Sequence, residues 1–72
     1  MNNPRVKSQG SNQYIAKYYR RNVYGNILLY PANEVAATLV SLSGKQTISP
    51  FLQKATRNLG YEWVEVLEGQ KE

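Results

Sequence analysis

The chain contains no cysteine, no histidine and no aspartate. Without thiols there is no disulfide and no thiolate metal site, and without imidazole the commonest metal ligand and general base is missing. Proton transfer and nucleophilic attack both need titratable groups held against a partner, yet the carboxylates are Glu34 and then glutamates from Glu62 onward. On a strand, Glu62 and Glu68 fall on one side and Glu65 on the other, a spacing that suits edge protection better than paired acid–base work. Gly25, Gly44, Gly60 and Gly69 are isolated, so no phosphate-cradling loop is present either. The expectation is a non-enzymatic protein that needs no cofactor and no metal. The longest apolar run is Ile27 to Tyr30, which is too short to span a bilayer or serve as a signal sequence; no membrane association and a cytoplasmic location are expected.

Seventy-two residues make one domain, near the size at which a hydrophobic core barely outweighs chain entropy; such a domain buries only about 60% of its unfolded surface. Self-association into a homodimer is one way to extend that core. The net charge of +4 is unevenly spread: Arg5, Lys7, Lys17, Arg20 and Arg21 precede any acid, while Glu62, Glu65, Glu68 and Glu72 crowd the other end. A molecule polarised in this way steers anionic partners toward its basic end, although ordinary solvation of a small basic protein accounts for the same composition.

Residues 1–12 are mostly polar, with only Met1 and Val6 as apolar side chains, so they are expected to be a disordered basic arm. The domain is expected over residues 13–68, followed by a polar tail, 69–72. Tyr14 to Tyr24 is aromatic and β-branched, Gly25-Asn26 is a turn signal and Ile27 to Tyr30 is apolar again, which together predict a β-hairpin. A turn at Arg21-Asn22 with a bulge at Gly25 satisfies the sequence nearly as well, and one residue of slippage sends every side chain to the opposite face. Pro31 or Asn33 can start a helix reaching Leu42, in which Val35, Ala36, Leu39, Val40 and Leu42 form an apolar stripe closed by Gly44. A stronger start follows at Ser49-Pro50, with Phe51, Leu52, Ala55 and Leu59 lining one face and Gly60 ending it. Tyr61 to Leu67 reads as a strand. The expected fold is α+β: a single small domain of order β-β-α-α-β, with a three-stranded antiparallel sheet and both helices packed on one face.

Five of the six tyrosines lie between Tyr14 and Tyr30, among Lys17, Arg20 and Arg21. Rings set among cations on an extended backbone can stack on bases and hold phosphates. One side of the first strand would carry Tyr14, Ala16, Tyr18, Arg20 and Tyr24, the other Ile15, Lys17, Tyr19, Arg21 and Val23. If the side turned from the helices holds Tyr18 and Arg20, with Trp63 nearby, it resembles the aromatic platform used for single-stranded nucleic acid. The competing reading is that these rings fill the core or a homodimer interface. In the second helix Gln53, Lys54, Arg57 and Asn58 form a polar side able to reach bases or phosphates, or simply a solvated face. A helix-turn-helix register on Gly44 fails, because it places Pro50 inside the recognition helix and leaves too long a connection.

The run of Tyr18-Tyr19, Asn22-Val23-Tyr24-Gly25-Asn26, Tyr30-Pro31, Leu42-Ser43-Gly44-Lys45-Gln46-Thr47-Ile48 and Leu59-Gly60-Tyr61 resembles a group of short proteins of tailed bacteriophages and prophages that carry no assigned activity. The resemblance covers roughly residues 18–66. It implies action inside an infected bacterial cell by binding, either to nucleic acid or to the surface of a host enzyme or defence complex. The candidate nucleic-acid-binding set is therefore Lys17, Tyr18, Tyr19, Arg20, Arg21 and Tyr24, with Lys54 and Arg57 as a second contact. The alternative partner is a bacterial host protein, bound by an inhibitor or adaptor whose Tyr, Trp and Arg side chains act as anchors.

Overall fold

A computed structural model describes residues 13–70; the arm expected at 1–12 and the final two residues of the tail lie outside the described residues. The order is β1 (Ile15–Val23), β2 (Asn26–Pro31), α1 (Glu34–Leu42), α2 (Pro50–Arg57) and β3 (Glu62–Glu65), followed by a 3₁₀ turn, Glu68–Gln70. The three strands form one sheet in the order β2-β1-β3, so the fold is a small α+β domain as expected.

The direction of the last strand is not. β1 and β2 are antiparallel, but β3 runs parallel to β1, with Ile15 opposite Glu62 and Tyr18 opposite Glu65. The sheet is mixed, and the reason is parity. β2 leaves the sheet with Pro31 opposite Tyr18, near the start of β1. One helix would carry the chain to the far end; two helices in succession return it to the end it left. From there a strand can only run in the direction of β1. It docks beside β1 because the outer edge of β2 is occupied: the Ile48 N–H, in the loop between the helices, donates to the Leu29 carbonyl at 2.9 Å.

The hairpin turns on Tyr24-Gly25, with Val23 paired to Asn26, at neither of the two positions the sequence offered. Both turn residues have positive φ, 54° and 83°, as a type I′ turn demands. Glycine accepts this freely, and the Asn22 Oδ1 fixes it by accepting the Gly25 N–H at 2.9 Å.

Pro31 ends β2 and does not begin a helix. Lacking an N–H, it cannot continue the ladder, and the next residue substitutes: the Ala32 N–H donates to the Lys17 carbonyl at 2.8 Å. Asn33 then caps α1. Its Oδ1 accepts from the Ala36 N–H at 3.0 Å and from the Lys17 N–H at 3.1 Å, while its Nδ2 donates to the Ile15 carbonyl at 2.9 Å. One amide side chain thus caps a helix and extends the β1 ladder. Ser49 caps α2 through the Leu52 N–H at 3.1 Å, with Pro50 in the first turn.

The core gathers Ala16, Ala36, Leu39, Val40, Ile48 and Trp63, with Tyr18, Leu29, Val35, Leu52 and Tyr61 packed around it. Ala16 and Trp63 are register partners, and strand alternation puts Tyr18 and Leu29 on the same side. Both helices meet the sheet there. Beneath them, the buried Trp63 indole N–H donates to the Thr56 hydroxyl at 2.7 Å, which itself donates to the Leu52 carbonyl at 2.7 Å. The apolar stripes are less fully used than their spacing implied: Leu42 and Phe51 are each 80% exposed and Leu59 is 72% exposed.

Candidate functional site

The register separates the candidate residues of β1. Tyr18 and Arg20 share the helix side with Ala16 and Trp63, so the platform imagined on the open side is not assembled from them: Tyr18 packs edge-on against Trp63, centroids 6.2 Å apart, and Trp63 is buried. The open side instead carries Lys17, Tyr19 and Arg21 with Tyr30 of β2. There the Tyr19 and Tyr30 rings stack at 5.6 Å, and the Arg21 guanidinium lies over both, 5.7 and 5.4 Å from their centroids. Tyr19 is buried, so its ring is not available to a base. Tyr30 is the member of this stack that composition alone did not single out.

The arginines are answered within the chain. Arg20 Nε pairs with Glu65 Oε2 at 2.9 Å, and Arg21 pairs with Glu68, its Nε donating to the carboxylate at 3.1 Å. The hydrogen bond and charge of Glu68 hold the Arg21 guanidinium above its ordinary pKa, so it stays charged at any ordinary pH. These are exposed pairs of modest strength, and each sets a carboxylate beside a cation that would otherwise be free to face a phosphate backbone. Glu65 and Glu68, from the acidic end of the sequence, thus meet Arg20 and Arg21 of β1. The signal for this was visible as opposite charge at the two ends of the chain, though which residues would meet was not.

Lys54 and Arg57 stand apart from the hairpin, on the exposed side of α2 with Pro50, Phe51 and Asn58. Together with Lys45 in the preceding loop they form no ion pair among the described residues.

Tyr24 is alone at the end of the hairpin and is 99% exposed. β3 pairs with β1 only over Ile15 to Tyr18, whereas β2 pairs over Tyr18 to Val23. Beyond Arg21, which is flanked by Glu68, the hairpin is therefore a two-stranded finger among the described residues that extends past the third strand. Ile27, 55% exposed, lies near its end, and no charged residue occurs from Asn22 to Leu28. At the opposite end of β1, a groove of about 300 Å³ opens between α1 and Tyr61, with Tyr14 packed on the Tyr61 ring at 5.2 Å.

Among the described residues no helix is long and apolar enough to cross a membrane, and no cluster of His, Cys, Asp or Glu could hold a metal ion. No family model matches the chain, and neither the curated proteins nor the solved structures include a significant match to it.

Proposed function

We propose that this protein is a non-enzymatic, phage-type binding module, an inhibitor or adaptor that engages a bacterial host protein by inserting the tip of its hairpin finger. The observation that carries this reading is the state of Tyr24: a large ring, 99% exposed, on a backbone at φ 54°. Left-handed backbone costs a residue with a β-carbon roughly 1–2 kcal/mol, and this ring buries no surface that would offset the cost. Asparagine or glycine would fill the turn more favourably. Strain held at an exposed position that contributes nothing to folding points to recognition. The Asn22 brace fixes the turn backbone that carries the ring, which lowers the backbone entropy lost on docking. With no cation between Asn22 and Leu28, the tip suits a neutral apolar pocket on a protein better than a phosphate backbone.

A second reading, nucleic-acid binding, is favoured by Lys45, Lys54 and Arg57, which form no ion pair among the described residues and would shift the phosphate contact from the hairpin to α2 and the loop before it. One experiment separates the two. Affinity capture from a nuclease-treated bacterial lysate is expected to recover one host protein with the native chain and to lose it with Tyr24→Asn, at a cost of at least ~2 kcal/mol, about 30-fold in affinity. The double change Lys54→Ala/Arg57→Ala is expected to leave that capture intact. If instead recovery depends on nucleic acid and on Lys54 and Arg57, with steep salt dependence, the second reading replaces the first. The same Tyr24→Asn protein is expected to melt about 4–8 °C higher than the native chain, for each kcal/mol of turn strain relieved. An unchanged or lower melting temperature would mean that Tyr24 contributes to the fold after all.

A further inference from the structure

The finger tip offers an exposed uncharged ring and the α1 groove a largely apolar lining, and the two sit at opposite ends of the same strand. Tyr24 directly follows β1, while Gln13, which lines the groove, lies just before it. Nine residues of strand at about 3.3 Å each separate the two by roughly 30 Å, so no chain can place its own tip in its own groove. We propose that the groove receives Tyr24 of a second copy, giving a head-to-tail contact between protomers.

The apolar lining of the groove comes from Val35, Leu39, Leu42 and Tyr61. A space of about 300 Å³ is at the small end of side-chain and ligand pockets and accommodates one phenol ring. Its rim carries Gln13, Glu34 and Thr38. The Glu34 carboxylate is exposed, and a phenol O–H is a donor that a carboxylate accepts. The tip brings no charge of its own against the apolar lining. Leu42, 80% exposed in the single chain, would be covered by the incoming ring. Each copy offers one knob and one groove that are different surfaces, so the contact is heterologous: it propagates from copy to copy unless the rotation closes a ring. It is also small, well below the ~1,000 Å² of a stable interface, which makes the association weak, reversible and dependent on concentration. This contact rests on Tyr24 being a docking anchor, as proposed above, but not on the existence of a host partner.

The test is the solution mass of the purified full chain, by sedimentation, from dilute solution to ~1 mM, the range in which weak contacts populate. The native chain is expected to grow in average mass with concentration. Tyr24→Asn and Leu42→Glu, both at exposed positions, are each expected to remain monomeric while keeping native circular dichroism. An equimolar mixture of the two variants is expected to form dimers and nothing larger, because only the intact knob of one and the intact groove of the other can meet. A native chain that stays monomeric throughout overturns the proposal, as does a Tyr24→Asn protein that associates like the native one, or a mixture that stays monomeric. Host capture by Leu42→Glu keeps the two readings apart. That variant lacks the groove but retains the tip, so its capture of the host protein tests the partner reading whether or not the chain self-associates.

Discussion

Replacing Trp63 by alanine is expected to bring the protein to the edge of unfolding at room temperature. Removing a buried indole costs about 3–5 kcal/mol, and a domain of 72 residues at ~0.05–0.15 kcal/mol per residue has only about 4–11 kcal/mol in total. Trp63 joins both layers: it sits opposite Ala16 in the parallel pair and reaches α2 through the Thr56 hydroxyl. Thr56→Val isolates the second role. It keeps the shape but leaves the indole N–H buried without an acceptor, at roughly 1–3 kcal/mol, and Thr56→Ser should restore most of the loss. Thermal melts followed by circular dichroism give the answer. A Trp63→Ala protein that melts cooperatively within a few degrees of the native chain would show that α2 and β3 are not held through this side chain.

Asn33→Ala is the second large effect expected. The side chain makes three bonds, to the Ala36 and Lys17 N–H groups and to the Ile15 carbonyl. Loss of an N-cap costs ~0.5–2 kcal/mol, and each of the two further bonds to a partly buried backbone group about 0.5–1.5 kcal/mol, so the sum is roughly 1.5–5 kcal/mol. Asn33→Asp separates the contributions: it keeps the cap and the acceptor for Lys17 but loses the donor, turning a carboxylate toward the Ile15 carbonyl. Its stability is expected to fall between the native chain and Asn33→Ala. In hydrogen exchange, Asn33→Ala should release protection at Ala36 and Lys17 together. Release at Ala36 alone would mean that the link between the α1 cap and the β1 ladder carries little of the stability.

Several elements were legible locally. Ser49-Pro50 set the start of α2 within a residue, because a hydroxyl acceptor followed by a residue with no N–H to satisfy meets the needs of a helix N-terminus within two positions. The hairpin was equally plain as an element, from its aromatic and β-branched run. Its turn was not, because Tyr24 is a residue that turn chemistry argues against, and the true register follows from Gly25 and Asn22 acting together. The candidate site was decided by which side of β1 the helices cover: Ala16 packs beneath them, which put Tyr18 and Arg20 on that side and left Tyr19 under Arg21 on the other. Phe51 and Leu59 misled in the opposite sense. Their spacing is helical and apolar, but an eight-residue helix over a small sheet has room to bury only one narrow stripe, the one through Leu52 and Thr56.

What the residues determined alone is the inventory: the missing thiols, imidazoles and aspartates, the α+β class, the order of the five elements and the clustering of rings with cations. Those properties are carried by composition and by contacts a few residues apart. The direction of β3, the pairing of Arg20 and Arg21 with Glu65 and Glu68, and the isolation of Tyr24 at the end of a finger were decided by the tertiary structure. Each depends on groups dozens of residues apart meeting once two helices have returned the chain to the end of the sheet it left, and local sequence has no means of encoding which strand edge will then be open.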